Sequence, residues 1–336
     1  MRLSQFDYVL PHDLIAQDPL KERDQSRLLV LHRDSGQIEH RTFLDILEYL
    51  SPGDLAVFND TRVTATRLHA HKETGGAAEV LLLRRLDASR WEALVKPGRR
   101  VHVGVKLRFD QGLEADVVER TPDGGRILEI RPADRAEDLI AQIGETPLPP
   151  YITRRLADRE RYQTVYARAN GSYAAPTAGL HFTPELIAQL EAKGVRTAFI
   201  TLHVGIGTFR PVRTENVLEH EMHSEFIEVS AETAKAISEA PGKVVAIGTT
   251  TARALESAAV SRRAVGEFCG ETDLFIKPGY EFKVVDRLVT NFHLPKSTLL
   301  ILVSALAGTD LVREAYNEAV AQRYRFLSFG DAMLIL

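Results

Sequence analysis

The chain has 336 residues, 44% of them hydrophobic and 26% charged, which is soluble-protein composition with enough apolar material for a sizeable core. The formal net charge is −4, so binding of nucleic acid by bulk positive charge is excluded, and an RNA would have to meet a local basic patch. No apolar run reaches the ~18–20 residues that cross a bilayer. The start, Met1-Arg2-Leu3-Ser4-Gln5-Phe6-Asp7, has no signal-peptide stretch, so a cytoplasmic protein is expected. The single cysteine, Cys269, forms no internal disulfide and founds no cysteine metal site. A lone cysteine is most often a small packing residue.

In chain order, residues 1–62 mix polar turns with one short helix signal and one buried strand, Leu55-Ala56-Val57-Phe58, which ends in Asn59-Asp60-Thr61-Arg62. A buried strand that stops at a polar loop is where α/β sheets hold ligands. Six strand-like segments follow: Arg67–His71, Glu79–Leu86, Trp91–Lys96, Lys106–Asp110, Glu114–Glu119 and Arg126–Arg131. Turn signals such as Gly75-Gly76, Pro97-Gly98 and Pro122-Asp123-Gly124-Gly125 separate them, which predicts a small antiparallel six-stranded barrel. Ala133–Ile143 reads as a short amphipathic helix. Thr183-Pro184-Glu185 starts another helix, with a threonine cap and proline in the first turn, and Gly194 ends it. Strands are expected at Arg196–His203, Val244–Ile247 and Leu299–Val303, and helices over 231–240, about 250–260 and 309–322. Strands alternating with helices predict an α/β fold with a mostly parallel sheet and flanking helices. It runs over 1–64 and 151–336 and is interrupted by the inserted barrel at 65–150. No coiled coil or swapped arm is visible, so a monomer is expected.

Several segments carry chemistry. Val244–Ile247 runs into Gly248-Thr249-Thr250-Thr251-Ala252-Arg253, and free N–H groups at a helix start beside hydroxyls suit an anion. Ala174–Thr183 combines small residues, which admit a ligand close to the backbone, with Thr177, Gly179 and His181. Strand Arg196–His203 delivers His203 into Gly205-Ile206-Gly207-Thr208, which lacks the third glycine of a dinucleotide loop. His220-Glu221-Met222-His223 does not have the spacing of a zinc helix, so no metal is expected. Thr290–Thr298 offers Asn291 and His293; Lys296-Ser297-Thr298 is no phosphate loop, because the upstream glycines are missing. Asp331 follows Ser328-Phe329-Gly330 near the end of the chain. Arg84-Arg85, Arg99-Arg100, Arg154-Arg155 and Arg161 are the candidate basic patches, and Arg154, Arg155 and Arg161 are expected to touch RNA.

Together these segments resemble the S-adenosylmethionine:tRNA ribosyltransferase-isomerase family over nearly the whole chain. The resemblance rests on Phe6-Asp7-Tyr8, Leu14–Pro19, Arg23-Asp24-Gln25-Ser26-Arg27-Leu28-Leu29, Val57–Arg62, Leu148–Ile152, Arg161–Tyr166, Ala175–Thr183, Thr201–Phe209, Thr290–Pro295 and Phe329–Ile335. Tyr173 stands where the family has a smaller residue. The resemblance implies transfer and isomerisation of the ribosyl group of S-adenosylmethionine onto 7-aminomethyl-7-deazaguanine at the tRNA wobble position. Epoxyqueuosine would form, adenine and methionine would leave, and no cofactor beyond the S-adenosylmethionine co-substrate would be needed.

That chemistry needs a base at the carbon beside the sulfonium, a neutral acceptor amine, a donor for departing adenine, and N–H or cationic partners for a carboxylate. Candidate bases are His203 and His181, with Asp60 or Asp331 orienting the amine or ribose hydroxyls. Candidate substrate contacts are Asn59, Thr61, Arg62, Thr177, Gly179, Gly205, Gly207, Thr208, Asn291 and His293. The loop Thr249-Thr250-Thr251 with Arg253 is the expected carboxylate site. Two rivals are an S-adenosylmethionine-dependent RNA methyltransferase, which no glycine-rich strand–helix loop near the start supports, and a non-catalytic RNA-binding module.

Overall fold

A computed structural model describes residues 1–122, 124–205, 212 and 214–336. The chain forms two compact units, one of residues 1–62 with 149–336 and the other of residues 63–148.

In chain order the strands are β1 Arg27–Leu31, β2 Ile38–Thr42, β3 Leu55–Asn59, β4 Thr61–Val63, β5 Arg67–Lys72, β6 Ala77–Arg85, β7 Arg90–Lys96, β8 Lys106–Arg108, β9 Glu114–Arg120 and β10 Arg126–Arg131. They continue with β11 Ala169–Ser172, β12 Arg196–Leu202, β13 Glu225–Val229, β14 Val244–Ile247, β15 Ala259–Ser261, β16 Ala264–Val265, β17 Phe268–Thr272, β18 Arg287–Asn291 and β19 Ala332–Ile335. The α-helices are α1 Ile46–Tyr49, α2 Ala136–Ile143, α3 Pro184–Ala192, α4 Ala231–Ser238, α5 Thr249–Ser257, α6 Thr298–Ala307 and α7 Thr309–Ala321.

The larger unit is built on a nine-stranded sheet in the order β17-β13-β12-β3-β14-β18-β19-β1-β2. Its centre, β12-β3-β14-β18, is parallel, as expected. The sheet is mixed as a whole, because β13, β17, β19 and β2 join neighbours in antiparallel fashion. Along β3, Leu55 and Val57 enter one apolar core while Ala56 and Phe58 enter the other. Along β14, Val244 and Ala246 again oppose Val245 and Ile247. Period-two alternation with both faces covered is why these strands read as unbroken apolar runs. Helix α3 closes one face through Leu186 and Leu190. Helices α5, α6 and α7 close the other through Leu255, Ile301 and Val312.

The smaller unit is the expected closed barrel of six antiparallel strands, ordered β10-β7-β6-β5-β8-β9. Its buried Arg126 donates to the carbonyls of Val101, Gly124, Gly125 and Gly98 at 2.7–2.8 Å, so the barrel ties two turns together with one guanidinium.

Three local expectations change. Leu299–Val303 is not a strand but the middle of α6, whose Ser297 cap accepts from Leu300 N at 3.2 Å. A helix buried all round has no periodicity to separate it from a buried strand. Residues 1–62 hold three strands of the nine-stranded sheet, not one, and β4 begins at Thr61. Cys269 is exposed on the edge strand β17 and is not a packing residue.

Candidate active site

A cleft with about 740 Å³ of empty space, partly open to solvent, lies in the larger unit. It sits where parallel strands end: β14 gives way to Gly248, Thr249 and Thr250, and β18 to Asn291 and His293. This is the position at which open α/β sheets bind ligands. Gly248 turns strand into helix at φ 99°, a left-handed conformation that favours glycine. Pro176 and Thr177 from the small-residue segment, with Tyr151, Phe292, Leu299 and Leu327, complete the largely apolar wall.

The polar part of that wall is pre-wired. Thr177 Oγ1 donates to Asn291 Oδ1 at 2.8 Å. The Asn291 amide donates to His181 Nε2 at 3.1 Å, and His181 Nδ1 is 2.7 Å from Ser26 Oγ. Since Nε2 accepts, the proton of this neutral ring is on Nδ1 and goes to Ser26. Burial, reinforced by the charges of Arg325 and Arg23, pulls His181 down to about 3. Stacking on Phe43, with centroids 4.8 Å apart, holds the ring in place. His293 is likewise held near 3 by burial, and its Nε2 is 2.8 Å from Thr290 Oγ1. The Thr290 hydroxyl also lies 3.2 Å from the Asn291 carbonyl.

His203 is not part of the cleft wall; its neighbour Val204 is. The ring is half-buried, stacked on Phe226 with centroids 5.4 Å apart, and its Nδ1 is 2.7 Å from Thr61 Oγ1. The Thr61 hydroxyl also lies 3.4 Å from the Ala169 carbonyl. Thr61 thus engages Nδ1 of His203, and Nε2 is the ring nitrogen that makes no hydrogen bond among the described residues. Burial draws this imidazole below its ordinary value while Asp60 and Glu228 pull the other way. Gly171, at φ 141°, passes so near that a Cβ there would stand 2.8 Å from Nε2.

The acidic candidates are anchored in the frame. Asp60 is 3% exposed; Oδ1 accepts from Thr201 at 2.7 Å and Oδ2 from Arg168 at 2.6 Å. Asp331 is 1% exposed; it accepts from the backbone of Arg27 at 3.0 Å and of Arg325 at 2.8 Å, joining the start of β1 to the start of β19. Burial raises its carboxyl against these bonds. Both carboxylates orient chain: each of their oxygens accepts one of these bonds.

Other candidates divide in the same way. Asn59 is buried and bridges Leu202 and Thr250, Thr251 donates to the carbonyl of Ile247 at the end of β14, and Gly205 N donates to Glu225 at 2.7 Å. Gly179 faces Tyr166, not the cleft. Arg253 pairs with Glu225 in the interior, where burial lowers it to about 10, so its charge is already matched. Arg62 pairs with Glu160 at 2.6 Å and the exposed Arg154 with Asp18 at 2.6 Å, and Arg155 is exposed. Arg161 is half-buried and donates to the carbonyls of Leu20 and Lys21. Gly207 and Thr208 lie outside the described residues. Among the described residues no group of three or more His, Cys, Asp or Glu side chains is placed to hold a metal, and no helix is long and apolar enough to cross a membrane. The residue reading overlooked Tyr151 and Phe292 as walls, because they carry no chemical signal until the fold brings them together. It singled out Ser328 without placing it in the site; its hydroxyl is 2.7 Å from that of Tyr151.

Fold and cleft define an α/β enzyme with an inserted β-barrel, whose apolar cleft at the strand ends is edged by fixed hydrogen-bonding groups. The chain belongs to the queuosine biosynthesis family of S-adenosylmethionine:tRNA ribosyltransferase-isomerases: residues 3–335 match the family model described as queuosine biosynthesis protein. It is 59% identical over 341 residues to the S-adenosylmethionine:tRNA ribosyltransferase-isomerase of Symbiobacterium thermophilum, with 100% of both chains covered. It is 56% identical over 339 residues to that of Thermotoga petrophila, again over 100% of both. The crystal structure of S-adenosylmethionine tRNA ribosyltransferase from Thermotoga maritima is similar with a TM-score of 0.58 at 46% identity, covering 99% of this chain and 100% of that one.

Proposed function

We propose that this chain transfers and isomerises the ribosyl group of S-adenosylmethionine onto 7-aminomethyl-7-deazaguanine at the wobble position of tRNA, giving epoxyqueuosine and releasing adenine and methionine. The observation that carries this reading is family membership over the full chain; the full-length relatives are named for S-adenosylmethionine and tRNA. The cleft supports it, because an apolar slot edged by Thr177, Asn291 and His293 suits the adenine and ribose of the donor. The reaction needs no metal, and the enzyme works as a cytoplasmic monomer.

The proton beside the sulfonium goes to Nε2 of His203, the ring nitrogen without a hydrogen bond among the described residues, in the tautomer protonated at Nδ1 toward Thr61, while the lone pair of His181 is already taken by Asn291. His181 is then a positioning residue that aims Asn291 and, through it, Thr177. Asp60 steadies the segment at Arg168 and Ala169 beside His203. The carboxylate of the donor lies at the start of α5, on Thr249 and Thr250, without Arg253.

The test is incubation with S-adenosylmethionine and tRNA carrying the deazaguanine amine, with no metal added, and chromatography for adenine. Adenine released only with the modified tRNA supports the reading. S-adenosylhomocysteine instead would make the chain a methyltransferase, and RNA binding without donor consumption would make it a binding module. A His203→Ala variant that turns over like the parent would overturn that residue's role.

A further inference from the structure

Beside the cleft lies a second pocket in the same unit, with about 310 Å³ of empty space, and Ser328 belongs to the walls of both. Its charged walls are Arg23 and Arg161, with His181 and Ser26 between them and no aspartate or glutamate. Each guanidinium is held by backbone carbonyls: Arg23 by Leu180 at 3.2 Å and Glu160 at 3.1 Å, Arg161 by Lys21 at 2.9 Å and by Leu20. Carbonyls orient a guanidinium but do not neutralise it. Neither arginine has a carboxylate within ion-pair reach among the described residues, and the side chain of Glu160 is taken by Arg62. Buried Nε of Arg161 and Nη1 of Arg325 have no hydrogen-bond partner among the described residues. Two fixed cations around an empty space, backed by a third whose charge reaches His181, call for an anion.

Charge decides which anion. S-adenosylmethionine brings its carboxylate with an ammonium and a sulfonium, a net positive charge, and these walls hold no carboxylate to pair with an ammonium. A phosphodiester brings a negative charge with no cation attached. We infer that the Arg23–Arg161 pocket holds a backbone phosphate of the acceptor RNA, beside the nucleotide whose base enters the cleft. This rests on the proposed RNA substrate and adds the place where its backbone is gripped.

The test compares parent, Arg23→Gln, Arg161→Gln and Leu20→Glu proteins. The last keeps both arginines and the Leu20 carbonyl but sets a carboxylate in the pocket, so it reports even if the arginine variants fold poorly. Affinity for unmodified tRNA is measured against salt, and donor affinity separately by calorimetry; neither needs turnover. Expected is about a tenfold or greater loss of tRNA affinity, a salt slope shallower by about one, and unchanged donor affinity. Weaker donor binding with intact tRNA affinity would overturn the inference and assign the pocket to the carboxylate of the donor. Unchanged affinity for both in Leu20→Glu would also overturn it. If the parent protein itself bound no tRNA, the proposed function would fail first, a result separate from any difference among the variants.

Discussion

Asn291 donates to Nε2 of His181 across 3.1 Å, so one amide both shapes the cleft wall and fixes the proton of a buried ring on its far nitrogen. That ring and the ring of His293 are neutral in the fold, each at about 3 against an ordinary 6.5. Between those values the unfolded chain binds the protons and the folded chain does not. Their contribution is therefore fully present above about pH 6.5 and is lost as pH falls toward 3. Each proton is worth about 1.4 kcal/mol per pH unit. Urea unfolding from pH 7 to pH 4 should show stability falling steeply with acid, and His293→Gln should make that fall shallower by about one proton. An unchanged slope would mean that His293 charges as readily in the fold as out of it.

The Arg253–Glu225 pair predicts an asymmetry. Removing one partner leaves a buried charge unmatched, so Arg253→Met or Glu225→Gln should cost about 3–5 kcal/mol. The double variant Arg253→Met with Glu225→Leu should recover much of that, because replacing both members of a buried pair by apolar groups is often close to neutral. Denaturation midpoints of the three proteins decide it; additive losses in the double variant would show that the pair is not the source of the cost.

Gly179 predicts a rescue. A Cβ there would stand 2.0 Å from the Tyr166 hydroxyl, which is buried with no hydrogen-bond partner among the described residues. Gly179→Ala should destabilise by about 1–3 kcal/mol through overpacking. Tyr166→Phe alone should be close to neutral, since it removes an unsatisfied hydroxyl. Combined with Gly179→Ala it should restore part of the loss, though Thr164 still stands 2.8 Å from the added carbon. Thermal unfolding of all three would show whether the two sites couple.

Thr61 holds Nδ1 of His203 at 2.7 Å, and in the proposed role it accepts the Nδ1 proton so that Nε2 can act as the base. Thr61→Val should lower turnover about 10- to 100-fold, the size expected when a general base loses its orientation, with little change in donor affinity. The pH–rate profile of the parent should rise through a value below the ordinary imidazole range, because burial draws His203 downward. A profile that ignores the Thr61 substitution would point to another base.

Much of this protein was legible in the residues. Turn signals every few residues outlined the barrel, and apolar or β-branched runs marked β3, β12 and β14 of the sheet centre but not β18; the loop after Val244–Ile247 was read as a ligand loop, and Thr249 and Thr250 line the cleft. Local chemistry suffices there, since turns, caps and strand periodicity are written in neighbouring residues. Which side chain is free and which is spent was not legible. Asp60, Asp331, Thr251 and Arg253 have the right chemistry for a site, yet each is committed to the frame by a partner. For three of them that partner is distant in sequence. Arg23 lay inside a segment noted only for its likeness, and it became a wall of a cationic pocket through Arg161, 138 positions on. Hydrogen-bond partners and burial are properties of pairs brought together by the fold, so tertiary structure alone decides the state of such groups.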